Sequence, residues 1–145
     1  MIFIVIMTKE EMNNEEKQLV KIDICGRLPY NVRGEVGACK NCIIYPHDIE
    51  DFEKDERTII PYLRPMSSMT EDESAELSNI ISEWFDKELF YLTEEPFLEY
   101  ALSKINYSIS PKLFDWLNAH HFDYRGLIPK GLALEAPEGM YKVEE

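Results

Sequence analysis

Thr70-Glu71-Asp72-Glu73, followed by Leu77, Ile80, Ile81, Trp84 and Phe85, is the pattern that most restricts what this chain can become. Apolar side chains at offsets 0, 3, 4, 7 and 8 fall on one face of an α-helix. The T-x-x-E segment ahead of them is a capping box, and its acids suit the positive end of the helix dipole. The spacing predicts a helix from about residue 71 to about residue 92 with Leu77, Ile81, Trp84 and Phe85 in a core. Such a face has to be covered by another layer.

The rest of the chain supplies candidates for that layer. Thr8-Lys9-Glu10-Glu11 is a second T-x-x-E box and predicts a helix over about 9–25, with Met12, Leu19, Val20 and Ile24 inward. Gly26 and Pro29 should end it. Tyr30, Val32 and Val36 alternate with Asn31, Arg33 and Glu35, and Cys42 to Tyr45 is β-prone. These read as a hairpin with its loop near 37–41. Residues 47–56 read as an acidic turn, and 58–63 as a third strand that Pro61 places at an edge or ends early. Segment 93–110 reads as a short helix or a strand. Ser110-Pro111 starts a helix ending near His121, with Leu113, Phe114, Leu117 and His121 inward. The tail from Phe122 should lie over the core, anchored by Phe122, Tyr124, Leu127, Ile128, Leu132 and Leu134.

Together these elements predict an α+β fold. A small antiparallel sheet of three to four strands carries about three helices on one face. At 145 residues, 45% apolar and 12% aromatic, the chain fills one ordinary core. The domain should run over 8–145. Residues 1–7 form an apolar N-terminal extension or an upstream start, with Met7 as the alternative beginning. The run is far shorter than the ~20 residues that span a bilayer and lacks the charged flank of a signal peptide. The expectation is a cytoplasmic protein with three free thiols, Cys25, Cys39 and Cys42, and no membrane association.

Charge narrows the partners. Residues 1–46 carry six basic and six acidic side chains, residues 47–110 five and sixteen, and residues 111–145 four and six, for a net charge of −13. An acidic chain does not release counterions from phosphate, so direct nucleic-acid binding is not expected. A basic protein surface would be attracted to the middle segment. Its densest acids are Asp48, Glu50, Asp51, Glu53, Asp55 and Glu56, followed by Glu71, Asp72, Glu73 and Glu76.

Three stretches belong together in their wording: Arg27-Leu28-Pro29-Tyr30; Pro61 through Thr70; and Asp115-Trp116-Leu117-Asn118 followed by His121 to Ile128 and Gly131 to Ala136. In this wording the chain resembles, from about Met7 to Tyr141, a family of small uncharacterised proteins of gut anaerobic bacteria, often carried on prophages or other mobile elements. The resemblance implies an accessory protein of such an element. It implies no activity, cofactor or catalytic residue, and it does not reach Cys39 or Cys42.

Few constellations bear chemistry. Cys39-x-x-Cys42 has the spacing of half a zinc site, and Cys25, His47, His120 and His121 are the residues that would have to complete it. The pair sits in a hairpin, whereas a thioredoxin-type redox motif needs a helix N-terminus. His120-His121, with Asp115 and Asp123 close by, offers a histidine and an orienting carboxylate but no accompanying nucleophile motif. Adjacent helical residues point about 100° apart, so the two rings do not serve one ion readily. Arg125 between Tyr124 and Gly126 suits a phosphate or a base, but the apolar residues around it favour a structural tie to Asp123 or a backbone carbonyl. Arg64, between Leu63 and Pro65, reads the same way.

The leading expectation is a non-enzymatic protein-interaction module, monomer or homodimer, with no cofactor and an unidentified, basic protein partner. The alternative is a small enzyme or nucleotide-binding protein using His120, His121, Asp123 and Arg125. A further alternative is an acidic DNA mimic that inhibits a DNA-binding protein. With only one closely spaced cysteine pair, folding should need no metal. Elemental analysis of the purified protein should find no stoichiometric zinc, and a chelator that unfolds it would overturn this reading.

Overall fold

The computed structural model describes residues 12–85 and 111–141, and of residues 82–85 the backbone alone. Among the described residues four α-helices and a four-stranded sheet make up an α+β fold. In chain order they are α1 (Asn14–Arg27), β1 (Arg33–Val36), β2 (Cys39–Ile43), α2 (Pro46–Glu53), β3 (Ile59–Leu63), α3 (Glu71–Phe85), α4 (Pro111–Ala119) and β4 (Leu134–Glu135). The strand order is β2-β1-β3-β4, with β1 antiparallel to both β2 and β3. The chain divides into two units, one of residues 1–62 with 127–134 and one of residues 63–126 with 135–145.

In the first unit α1 starts at Asn14, later than the expected 9. Its box is Asn13–Glu16: the Glu16 amide donates to Asn13 Oδ1 at 2.8 Å and the Asn13 amide to Glu16 Oε1 at 3.0 Å. The Thr8–Glu11 box lies outside the described residues. Gly26 does not stop the helix, which runs to Arg27 and tightens into a 3₁₀ turn over Leu28–Tyr30, where Pro29 can sit. Val20 and Ile24 are fully buried, and so are Asp23 and Arg27. The two charges meet as a bidentate pair, Arg27 Nε to Asp23 Oδ2 and Nη2 to Oδ1, both at 2.9 Å. The i,i+4 spacing puts them on the helix face that carries Val20 and Ile24.

The hairpin turns at Gly37-Ala38, so Cys39 to Asn41 belong to β2 and not to a loop. Gly34 in β1 faces Pro61 in β3, and a Cβ there would stand 2.7 Å from the Ile60 carbonyl oxygen. Only glycine lets the strands approach so closely. Pro61 lies in an interior strand rather than at an edge. The bond from the Ala136 amide falls on the Leu63 carbonyl, two residues further on, and the missing N–H of Pro61 breaks nothing there. The acidic stretch expected to be a turn is α2. Pro46 occupies its first turn, and the carboxylate of Asp48 accepts from the Tyr45 amide at 2.9 Å. Ile49 and Phe52 are its buried side.

In the second unit the Thr70–Glu73 capping box forms as expected, with Glu73 N to Thr70 Oγ1 at 3.1 Å and Thr70 N to Glu73 Oε1 at 3.0 Å. Leu77, Ile80 and Ile81 pack with Leu113, Phe114, Leu117 and Phe122 as one buried cluster. Burial of each large side chain contributes roughly 1.5–3 kcal/mol. The side chains of Trp84 and Phe85 and the whole of segment 93–110 lie outside the described residues. α4 closes in a Schellman motif: Phe122 N bonds Leu117 O and His121 N bonds Asn118 O, both at 3.0 Å. His121 stands at the left-handed position, φ +61°, where glycine is usual.

Cys39 and Cys42 are joined as a disulfide, which corrects the expectation of three free thiols; Cys25 is unbonded and exposed. Sequence spacing alone places residues 39 and 42 too far apart in a straight strand, and the local bend of β2 removes that distance.

The buried Asp23–Arg27 pair generates a test. Asp23→Ala leaves the Arg27 guanidinium without its bidentate carboxylate and should cost about 3–5 kcal/mol in urea melts. The double replacement Asp23→Leu with Arg27→Met should recover most of the loss. Equal losses for the single and double variants would show that volume, and not charge, sets the cost.

Candidate functional site

Arg64 follows β3 and points its guanidinium into the second unit. Nη1 and Nη2 each donate to one oxygen of Glu73 at 2.8 Å. Longer contacts of 3.4 Å reach the carbonyls of His120 and Ser68. The guanidinium carbon lies 4.2 Å from the Phe122 ring centroid, a cation–π distance. The backbone joins in as well: Arg64 N bonds His121 O and Asp123 N bonds Arg64 O, both at 2.8 Å. This is a parallel bridge between Arg64 and Phe122.

An aromatic stack continues from there. Trp116 lies over His120 with ring centroids 4.0 Å apart and beside Phe122 at 5.8 Å. The indole Nε1 donates to Glu76 at 3.2 Å, and His120 Nε2 stands 3.9 Å from the same carboxylate. Arg64 donates to Glu73 and holds its pKa down, from an ordinary 4.5 to about 2; the Thr70 amide adds to the effect against the cost of burial.

Each of the four candidate catalytic residues has a contact of its own. His120 Nδ1 sits 2.9 Å from the Trp116 carbonyl. His121 is buried and stacks on Tyr141, centroids 3.6 Å apart. Asp123 is buried, and its amide closes the bridge to Arg64. Arg125 lies over the ring of Tyr124, 4.8 Å from its centroid, and Tyr124 donates to Asn118 at 2.9 Å. Among the described residues no group of three or more His, Cys, Asp or Glu is arranged to hold a metal ion. The zinc candidates Cys39 and Cys42 are bonded to each other.

A cavity of about 310 Å³ lies elsewhere, in the first unit, between α1 and the end of α2. Its walls include Lys17, Lys21, Phe52, Glu53 and Asp55. Lys17 pairs with Asp55 and Lys21 with Glu53. The hydrogen bond to Glu53 raises the Lys21 pKa. None of the four candidate catalytic residues lines it.

The acidic segment is largely partnered within its own unit. Asp48 stands near His47 and Arg57, Asp51 lies 3.5 Å from Arg57, and Glu53 and Asp55 take the two lysines of α1. Glu50 and Glu56 are exposed. Sequence reasoning reads these acids as an acidic turn and the densest part of a charged middle segment, and misses the cations that meet them. The signal was Lys17 and Lys21, one helical turn apart. Compared with family models, curated proteins and solved structures, the chain matches none.

The Arg64–Glu73 contact predicts an acid-sensitive component of stability. Because the folded carboxyl titrates near 2 and the unfolded one near 4.5, the native state binds fewer protons between those values. The contribution is complete above pH 4.5 and is lost as the pH falls toward 2. Melts of wild type and Glu73→Gln from pH 6 to pH 2 should show the variant less stable at pH 6 and less dependent on pH below 4.5. Parallel curves would remove Glu73 as the source.

Proposed function

We propose that the chain is a non-enzymatic protein-interaction module whose contact point is the exposed aromatic pair Tyr45–His47. The observation that carries this reading is the exposure of Tyr45, 50%, on a rigid mount. Its ring is parallel to that of His47 within 8°, centroids 5.8 Å apart. Its amide is tied to the buried Asp48 carboxylate, and the Asp48 amide bonds back to the Tyr45 carbonyl at 3.0 Å. A tyrosine held this way presents a large amphipathic surface at little further entropic cost, the property that makes tyrosines frequent binding hot spots.

The charge supports a basic partner. The chain carries a net −13, and the exposed Glu50 follows the aromatic pair on α2. The same charge weighs against direct nucleic-acid binding. The DNA-mimic alternative draws little support from the segment 48–56, because four of its six acids have cations of this chain beside them. Among the described residues no helix is long and apolar enough to cross a membrane. A role as an accessory protein of a prophage or mobile element rests on the family resemblance alone.

Affinity capture from the native host with tagged wild type, Tyr45→Ala and His121→Ala tests the reading. Tyr45→Ala should weaken binding of the captured partner by about tenfold or more, and rising salt should weaken the wild-type complex. Undiminished binding by Tyr45→Ala would overturn it. Loss of a small-molecule ligand or of turnover in His121→Ala, with Tyr45→Ala unaffected, would favour the enzyme reading instead.

A further inference from the structure

We propose that Cys39 and Cys42 form a reversible dithiol–disulfide site, held in bonding range by a β-bulge that does not depend on the bond. Three steps along an extended strand cover about 10 Å, yet the Cα atoms of Cys39 and Cys42 are 6.2 Å apart. The ladder explains the contraction. Val36 faces Cys39 and Gly34 faces Cys42, so three steps on β2 match two on β1. The extra residue makes β2 bulge between the two cysteines, and the contraction brings them inside the separation that a disulfide can bridge.

Groups outside the bulge hold it. Arg33 of β1 donates through Nε to Asn41 Oδ1 at 2.7 Å and through Nη2 to the Asn41 carbonyl at 3.3 Å. Tyr62 of β3 donates to the Lys40 carbonyl at 3.2 Å. Both residues between the cysteines are therefore tied to neighbouring strands. Arg33, Asn41 and Tyr62 are positioning residues: they keep the two sulfur-bearing residues together whether or not the bond is made. β2 is the outermost strand of the sheet on its side, and Cys39, Lys40 and Asn41 are exposed. A reductant can reach the pair without the fold opening.

The co-reactant class is a small dithiol. One of its thiolates attacks a sulfur of the pair, the exposed Cys39 being the more accessible. The Cys39–Cys42 bond breaks, a mixed disulfide forms, and Cys42 leaves as a thiolate that takes up a proton. The second thiol of the reductant then displaces Cys39, which leaves and is protonated. Two electrons and two protons pass to the protein, and the dithiol becomes a cyclic disulfide. The reverse sequence uses that cyclic disulfide as the oxidant.

The test uses the full chain carrying Cys25→Ser, so that only the pair reports. The folded protein is equilibrated with reduced and oxidised dithiothreitol at a series of ratios, quenched in acid, and alkylated for mass spectrometry. Two thiols should appear together at a single midpoint, with the far-ultraviolet circular dichroism unchanged across it. Arg33→Met and Tyr62→Phe should each move that midpoint toward the dithiol form by about three- to tenfold, the weight of one or two hydrogen bonds. A loss of thermal stability alone would not produce this shift. Thiols that appear only in denaturant, or that stay reduced at every ratio, would overturn the proposal. So would an unmoved midpoint in the Tyr62→Phe variant, which loses one hydroxyl and serves even where Arg33→Met does not fold.

Discussion

The second unit is organised around one guanidinium. The Arg64 guanidinium donates to both oxygens of Glu73 in the first turn of α3, to the Ser68 carbonyl in the 3₁₀ turn Met66–Ser68 and to the His120 carbonyl just past α4, and lies on the face of Phe122. A lysine could not do this. Its single ammonium has no planar fork to match a carboxylate and no flat face to lie on a ring. The backbone of the same residue pairs with His121 and Asp123, so helix positions and chain path are set by one side chain and its own peptide groups. The capping box of α3 shares this contact, because one Glu73 carboxylate oxygen accepts from both the Thr70 amide and Arg64.

In the first unit electrostatics works by pairing across helices. The lysines of α1 meet the acids at the end of α2, and Arg57 meets Asp51. These contacts are exposed or half exposed, so each contributes little by itself. Their effect on the surface is larger than their effect on stability: they remove negative potential from the stretch that the sequence presents as most acidic. The fully buried Asp23–Arg27 pair is a different case, since neither charge can return to water without opening the helix face.

What could be read in advance follows from locality. The α3 box and its apolar spacing, the start of the last helix at Pro111, and the anchors Phe122, Leu127 and Leu132 are set by neighbours within a few residues, and all were legible. α2 was misread because six acids in nine residues look like solvated turn. Yet Pro46 with Asp48 two positions later is a helix start, and Ile49 and Phe52 give it a buried face. Pro61 was assigned to an edge because the sequence does not show that β4 is two residues long. The stretch 61–70 and the stretch 115–128 lie 45 residues apart in sequence at their nearest ends. Their physical connection is Arg64, which holds residues of both. The histidine pair drew attention for its chemistry, but the motif that closes α4 gives His121 its place, and the stack on Trp116 gives His120 its place.

The two features left without a structural role of this kind share one segment of chain. The bulge with Cys39 and Cys42 lies on β2, and Tyr45 with His47 follows directly. Between them stands Ile44, 2% exposed, whose amide donates to the Val32 carbonyl at 2.9 Å. That residue fixes the chain on the core side and to the residue before β1 at once. Displacing Ile44 would lift a buried side chain and break this bond together. On the other side Asp48, itself buried, holds the Tyr45 amide. The aromatic pair is thus held by contacts on both sides of it in the chain, none of which involves the disulfide. The proposed contact through Tyr45 and the proposed exchange at the cysteines can therefore be tested separately.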